Sequence, residues 1–168
     1  RVPPPKIIDY GHGYSAVAVL LRPKSRGTIT LKSANPNDTP IIDPQFYSKE
    51  PDLDILLWGL KECRRIIHGD VFNKYQPTET NPGQAIQTDK ELKEYILNSA
   101  GTIFHPVGTC KMGNDNHAVV DNRLRVHGLK SLRVADLSIA PRIVGGNTNA
   151  PAIMIGEKAA DMIKQDYA

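Results

Sequence analysis

Cysteine, net charge and long apolar runs are all scarce in this sequence of 168 residues. Its two cysteines, Cys63 and Cys110, are too few for a disulfide framework. We interpret them as two buried thiols, with a single bridge between them as the alternative. No apolar run reaches the roughly 18 residues of a membrane span, so the sequence predicts no transmembrane helix. Lys and Arg exceed Asp and Glu by only 21 to 18, an excess too small and too scattered to indicate a nucleic-acid partner.

Signatures of metal and hydrolase chemistry are also missing. No two of the five histidines lie three or four residues apart and no Cys-x-x-Cys pair occurs, so we predict no metal site. The absence of G-x-S-x-G leaves no signal for a serine hydrolase. Residues 11–16 fit the G-x-G-x-x-A pattern, but they follow a proline run and precede a strand-like run, so they do not predict a phosphate-binding loop.

The composition is that of a globular protein. Apolar residues make up 40% of the chain and charged residues 23%, which permits a real core. At about 150 residues per domain, the length corresponds to one domain or one and a piece. The first five residues, Arg1 to Pro5, contain neither a start methionine nor a signal-peptide pattern. We therefore expect the chain to be a piece of a longer protein.

Short strands alternate with amphipathic helices in the predicted organisation. The apolar run at residues 15–21 predicts a buried strand, and with the alternating residues 28–31 it predicts a β-hairpin. A third short strand is predicted at residues 132–135. The other stretches read as an opening segment, turns and a long loop, and they cover residues 1–13, 35–44, 73–87 and 100–122.

Three helices are predicted from apolar periodicity and from their end signals. The first opens at Pro51 and stops at Gly69, because proline is tolerated in a first turn and glycine commonly follows a last one. The capping box Thr88-Asp89-Lys90-Glu91 predicts a second helix over residues 89–99. The last helix is predicted to start at Pro151.

Two irregular stretches carry polar groups suited to chemistry. His105 lies in an apolar, glycine-punctuated loop and is a candidate general base, because imidazole exchanges protons near neutral pH. Asp136 follows the predicted strand 132–135, where open α/β sheets bind ligands. The Asn-rich turn before the last helix would present backbone N–H groups to an electron-rich group. The alternatives are a structural or solvated histidine, and a simple helix N-cap at Thr148 or Asn149.

Four motifs follow one another in the C-terminal part of the chain: HPVGTCKMG at residues 105–113, VDNRLRV at 120–126, LRVADLSIAP at 132–141 and GNTNAP at 146–151, which runs into MIGEKAAD at 154–161. On these motifs the sequence shows a resemblance to the glucose–methanol–choline (GMC) family of flavin-dependent oxidoreductases. It covers the chain from about residue 14 and is similar to the C-terminal region of the family. In detail the sequence is most similar to the insect members called glucose dehydrogenase-like.

The resemblance implies hydride transfer from an alcohol CH–OH group to flavin N5. By motif position, His105 matches the family's catalytic histidine and Asn147 its partner. The positions implied to contact FAD are Asp136, Leu137, Asn147, Thr148 and Asn149. An alcohol or a sugar is the implied substrate, and dioxygen or a quinone the implied electron acceptor. The implied fold is α+β with an α/β portion: an antiparallel substrate-domain sheet with helices, plus a strand and a helix that return to a Rossmann-like FAD domain.

The family's N-terminal dinucleotide-binding segment has no counterpart here. We therefore expect residues 1–100 to belong to the substrate-side domain, and residues 101–168 to supply the active-site loop and the C-terminal part of the FAD domain. The separate N-terminal segment is an expected partner, and without it we expect the isolated chain to hold FAD weakly and to be inactive.

Two other functions stay open at this point. A non-redox lyase on the same scaffold would use His105 as an acid–base group, and a stand-alone binding module would use no catalytic residue. The insect-type resemblance and the glycosylation sequon at residues 37–39 predict an extracellular location.

Overall fold

The computed structural model describes residues 12–168 and divides them into two compact units. The first unit contains residues 12–25 and Phe46–Thr102, and the second contains Arg26–Gln45 and Ile103–Ala168. The chain is a small α+β structure, as predicted. Most of the predicted opening segment, residues 1–11, lies outside the described residues.

Two helices form the core of the first unit. Helix α1 spans Glu50–Ile67 and α2 spans Asp89–Ser99. They bury Leu57, Leu92 and Ile96 against each other. Both predicted helices are confirmed, and α2 has the predicted bounds because its capping box forms: Glu91 N donates to the Thr88 hydroxyl and Thr88 N donates to the Glu91 carboxylate.

A buried carboxylate ties the backbone at Lys24 and Ser25 to α1. Asp52 is 1% exposed, and its two oxygens accept hydrogen bonds from the backbone N–H groups of Lys24 and Ser25, each at 2.7 Å. Burial, together with the nearby charge of Asp52, raises the pKa of the Tyr47 hydroxyl. This backbone segment and the helix are therefore held by a charged acceptor inside the first unit.

Arg64 fastens the irregular segment after α1 to the same helix. Its guanidinium donates to the Glu79 carboxylate at 3.0 Å and to the Ile86 carbonyl at 2.7 Å. This segment begins with a 3-10 helix at Asp70–Tyr75, which includes the first three residues of the turn-like stretch predicted at 73–87. The rest of that stretch, residues 76–87, forms no regular helix or strand, as predicted.

The predicted β-hairpin is wrong. Strand β1, Thr28–Thr30, pairs antiparallel with β2, Ile41–Asp43, with Ile29 opposite Ile42. Residues 15–21 form no strand, and Val17 is 74% exposed. An apolar run becomes a strand only where a neighbour completes its backbone hydrogen bonds, and none of the described residues does so for 15–21. Strand β2 lies in the stretch 35–44 that was predicted as turns. That prediction was wrong here because the many turn-forming residues of the stretch concealed the two isoleucines between Pro40 and Pro44.

The second unit packs its core around the last helix. Helix α3 spans Asn149–Tyr167, beginning two residues before the predicted Pro151. It contributes Ile155 and Ala159 to a buried cluster that is completed by Val120, Leu124 and Ile139. The predicted strand at 132–135 is wrong: only a single bridge, Arg125 to Arg133, forms there, so no ladder is built.

An ion-pair network joins the C-terminal end of α3 to the loops of the second unit. Asp166 accepts a hydrogen bond from Arg123 at 2.6 Å and another from Arg133. Burial raises the pKa of Asp166, but the hydrogen bonds and positive charges of the two arginines outweigh that effect and hold its pKa below the ordinary value of an aspartate.

The structure also bears on the predictions for the cysteines, for membrane spans and for the domain boundary. Cys63 and Cys110 are both free thiols and are partly buried, so they form no bridge. Between residues 12 and 168, no helix combines the length and apolarity needed to cross a membrane. The predicted boundary after residue 100 concerns the domains of a longer protein and stays a prediction. Within this chain, Arg26–Gln45 groups with Ile103–Ala168.

Candidate active site

The candidate site centres on a contact between a loop histidine and the start of α3. His105 Nδ1 lies 2.9 Å from the Thr148 hydroxyl oxygen, which is hydrogen-bond distance. His105 is half-buried, and Thr148 is only 4% exposed. The structure therefore brings together two of the motifs singled out in the sequence, although they lie 43 residues apart.

The local sequence explains why the Thr148 hydroxyl is available for this contact. Thr148 is the N-cap of α3, and a cap side chain usually accepts an N–H from the second or third helical residue. The third residue here is Pro151, which has no N–H. No side-chain capping bond forms at Thr148 within the described part of the chain. The predicted N-cap at Thr148 is therefore confirmed in position, but its hydroxyl faces His105 instead of the helix.

Backbone hydrogen bonds hold the His105 loop against the 136–140 segment. Cys110 N donates to the Ser138 carbonyl at 2.9 Å, and Met112 N donates to the Ile139 carbonyl at 2.8 Å. Gly108 has a φ of +92°, and a Cβ at this position would lie 3.2 Å from the Ala140 carbonyl oxygen. The loop can therefore approach this segment closely because residue 108 is a glycine.

The residue before the histidine has an uncommon backbone conformation. Phe104 has a φ of +63°, although it is not a glycine, and it is 81% exposed. Positive φ at a bulky residue costs about 1–3 kcal/mol, and such residues concentrate at functional sites. The conformation therefore marks the segment at His105 as a candidate functional loop.

The two asparagines of the GNTNAP motif flank Thr148. Asn147 and Asn149 are both exposed, so their amide groups are accessible to a ligand. Among residues 12–168 no hydrogen bond links Asn147 to His105, and the bond to the histidine is made by Thr148, the next residue along the chain. The first-turn N–H groups of Asn149 and Ala150 have no carbonyl acceptor within the helix.

Asp136 and Leu137, the other predicted FAD-contact positions, have local structural partners. The Asp136 carboxylate accepts a hydrogen bond from Ser138 N at 2.7 Å and caps the 3-10 helix Leu137–Ile139. The Leu137 side chain packs against the core of the second unit. The Ser138 hydroxyl oxygen is buried, and no described residue gives it a hydrogen-bond partner. The roles predicted for Asp136 and Leu137 stay predictions.

Sequence reasoning missed the contribution of Thr148 to His105. The available signal was a cap residue followed three positions later by a proline, which removes the usual acceptor role of the cap hydroxyl. The described residues contain no group of three or more His, Cys, Asp and Glu side chains that could hold a metal ion.

The comparison with known proteins identifies the family that carries this arrangement. A sequence profile described as GMC oxidoreductase matches residues 23–156. The chain belongs to the GMC oxidoreductase family. The match includes His105, Asn147 and the whole 136–151 segment, so the predicted site lies inside the family's C-terminal region.

Two curated GMC-type relatives are bacterial. An alcohol dehydrogenase [acceptor] of Pseudomonas putida is 48% identical over 156 residues, which are 93% of this chain and 28% of the relative. An oxygen-dependent choline dehydrogenase of Escherichia coli is 46% identical over 91% of this chain and 28% of the relative. The chain thus spans a little over a quarter of the length of these relatives.

Solved structures share the fold of this GMC region. A fungal aryl-alcohol oxidase superposes with a TM-score of 0.81 at 34% identity, covering 88% of this chain and 25% of that one. An FAD-dependent oxidoreductase from Chaetomium thermophilum superposes with a TM-score of 0.83 at 30% identity, covering 88% and 26%. The described architecture is therefore that of a C-terminal GMC portion.

Proposed function

We propose that this chain is the C-terminal catalytic portion of an FAD-dependent oxidoreductase that oxidises an alcohol or sugar CH–OH group. The observation that carries the proposal is the half-buried His105, hydrogen-bonded to Thr148, which directly follows the exposed Asn147 in the chain. The names of the relatives support the substrate class, since they include alcohol, choline and aryl-alcohol enzymes.

In this proposal His105 and Asn147 have separate roles at the substrate oxygen. His105 accepts the hydroxyl proton, while the carbinol C–H bond breaks and its electron pair leaves with the hydrogen as hydride. Asn147 donates an amide N–H to the oxygen, which stabilises the negative charge that develops there. Bound FAD would supply the hydride acceptor at its N5 atom.

The residues at the start of α3 fit one edge of a flavin. Asn147, Asn149 and the first-turn N–H groups are the donors suited to an electron-rich N1–C2=O edge, where the positive end of the helix dipole favours negative charge. Leu137 packs inward, so its contribution would come through its backbone. The Asp136 carboxylate and the Thr148 hydroxyl already have partners and would border the ring rather than anchor it.

These donors all belong to one short segment at the start of α3, and in this proposal they would serve only the flavin ring of FAD. Tight FAD binding in this proposal therefore requires an N-terminal FAD-binding segment as partner, in keeping with the quarter-length coverage of the relatives. The isolated chain is expected to bind FAD weakly and to be inactive. We also propose the sugar-oxidising, glucose dehydrogenase-like specificity as one form of the activity, with dioxygen or a quinone as the acceptor.

The decisive experiment is anaerobic flavin reduction in the full protein that contains this chain. Addition of an alcohol or sugar panel should bleach the oxidised flavin spectrum. His105→Ala should slow that bleaching by about 10²–10⁴-fold, the usual range for loss of a general base, and should leave the flavin bound. His117→Ala is the matched control, because His117 is exposed and its hydrogen bond to Asp115 uses the backbone N–H.

The outcomes separate the candidate functions. Unchanged reduction in His105→Ala would exclude the base role. A flavin that stays oxidised with every alcohol, in a protein that cleaves a cyanohydrin, would replace oxidation with the lyase activity. A stable, flavin-free chain with a protein partner would indicate a binding module.

An extracellular location is also proposed. Asn37 of the sequon is exposed in a turn that follows β1, where an oligosaccharide can be accommodated. A mobility shift on treatment with an N-glycosidase, absent in Asn37→Gln, would support it. No shift in protein from a secreting host would contradict it.

A further inference from the structure

The Thr148 hydroxyl has one contact that helix capping does not explain. It is buried in a residue that is 4% exposed, and it lies 2.9 Å from His105 Nδ1. A buried hydroxyl is costly without a hydrogen-bond partner. At this position the partner is the imidazole ring and not the first turn of α3.

We propose that Thr148 is a positioning residue that fixes the tautomer of His105. The inference rests on the proposed function, in which His105 accepts the substrate proton. A neutral imidazole carries one ring proton, and only the other nitrogen can act as a base. Because Nδ1 is engaged by Thr148, Nε2 is the nitrogen left for the substrate. Nε2 can accept a proton only when the ring proton is on Nδ1.

The chemistry of the cap allows Thr148 to hold that proton in place. The N–H that a cap oxygen often accepts is missing at Pro151, so the lone pairs of the Thr148 oxygen are available to Nδ1–H. In the opposite arrangement the Thr148 hydroxyl would donate to Nδ1, and a proton on Nε2 would make that nitrogen a donor instead of a base. The Nδ1–H arrangement also survives proton uptake, because an imidazolium donates from both nitrogens.

Thr148 therefore has the orienting role that a third residue has behind an acid–base pair. It differs from a carboxylate in being uncharged, so it selects the tautomer but stabilises the imidazolium less than a carboxylate would. We expect a loss of about 10–100-fold when it is removed, the range found for outer partners that orient a ligating histidine.

The direct test is nitrogen-15 NMR of the histidine rings in the flavin-loaded protein. The His105 resonances are assigned by their disappearance in His105→Gln. The neutral ring should show a protonated Nδ1 and a bare Nε2. Thr148→Val should abolish this preference, and Thr148→Ser should retain it, since serine keeps the hydroxyl. A wild-type ring with its proton on Nε2 would overturn the proposal.

This measurement does not require turnover, so it separates the two levels of inference. A flavin that no alcohol reduces, in a protein with the Nδ1–H tautomer, would refute the proposed function and leave the tautomer assignment standing. An active enzyme with the Nε2–H tautomer would refute the tautomer assignment and leave the proposed function standing. If Thr148→Val does not fold, the wild-type spectrum and Thr148→Ser still decide.

Kinetics supply an independent readout. Thr148→Val should lower the limiting rate constant of flavin reduction by about 10–100-fold and leave the dissociation constant of the alcohol nearly unchanged. Thr148→Ser should restore most of the rate. In a His105→Ala background, Thr148→Val should cost nothing further, because its effect passes through the histidine. Equal losses in both backgrounds would contradict the proposal.

Discussion

Replacement of Asp52 tests whether a buried carboxylate holds the first unit together. Asp52→Ala removes the acceptor of two charge-assisted hydrogen bonds, from the N–H groups of Lys24 and Ser25 at 2.7 Å. Each such bond contributes about 1.5–3 kcal/mol. Because Lys24 is exposed and its N–H can be rehydrated, we expect the lower end of the sum, a loss of about 3 kcal/mol in the free energy of unfolding.

Asp54 provides the matched control on the same helix. Its side chain is 52% exposed and pairs with Lys93 at 2.6 Å. Asp54→Ala should leave stability nearly unchanged, because surface ion pairs are screened by water and salt. Asp52→Asn keeps one carbonyl acceptor and turns an amide donor toward the other N–H. Its free energy of unfolding should therefore lie between those of Asp54→Ala and Asp52→Ala.

The assay is urea unfolding of the purified protein followed by far-UV circular dichroism. The expected order of the midpoints is wild type and Asp54→Ala together, then Asp52→Asn, then Asp52→Ala. Added salt should not reduce the Asp52 effect, since the carboxylate is 1% exposed. The reasoning fails if Asp52→Ala and Asp54→Ala lose the same free energy of unfolding.

Two further predictions concern the second unit. The folded pKa of Asp166 lies below the ordinary value of an aspartate, so its contribution to stability is fully present above that ordinary value and is lost as the pH falls through the lower, folded pKa. The difference in unfolding free energy between wild type and Asp166→Asn should therefore vanish in acid. A difference that persists there in urea titrations would contradict the network with Arg123 and Arg133. Gly108→Ala places a Cβ 3.2 Å from the Ala140 carbonyl oxygen at a residue whose φ is +92°. This substitution should lower the free energy of unfolding by about 1–3 kcal/mol and lower the melting temperature measured by calorimetry. An unchanged melting temperature would show that the loop shifts to accommodate the methyl group.

Local signals predicted α2 fully. Its capping box joins Thr88 and Glu91, three residues apart, so both halves of the signal and the bonds they make lie in one turn. The apolar face of α1 was equally predictable from the sequence, because residues three and four apart share a helix face. The motifs around His105 and Asn147 were visible as short strings, and they pointed to the family that the comparisons show.

Strand pairing was decided elsewhere in the chain. The residues 15–21 have the more strand-like composition, yet β1 pairs with the short Ile41–Asp43. Pairing requires a partner whose backbone can approach, and Gly27 allows that approach because a Cβ there would overlap the Asp43 carbonyl. The composition of a segment indicates how readily it is buried, but it does not specify which segment of the chain pairs with it as a neighbouring strand.

The same division applies to the site. The sequence by itself determined that His105, Asn147 and an Asn-rich turn before a helix were present, because each depends on residues within one turn or loop. Only the tertiary structure placed the Thr148 hydroxyl 2.9 Å from His105 Nδ1, through a core that packs α3 against the 120–139 segment. A hydrogen bond across 43 residues depends on how two separate segments pack, and no local pattern encodes that distance.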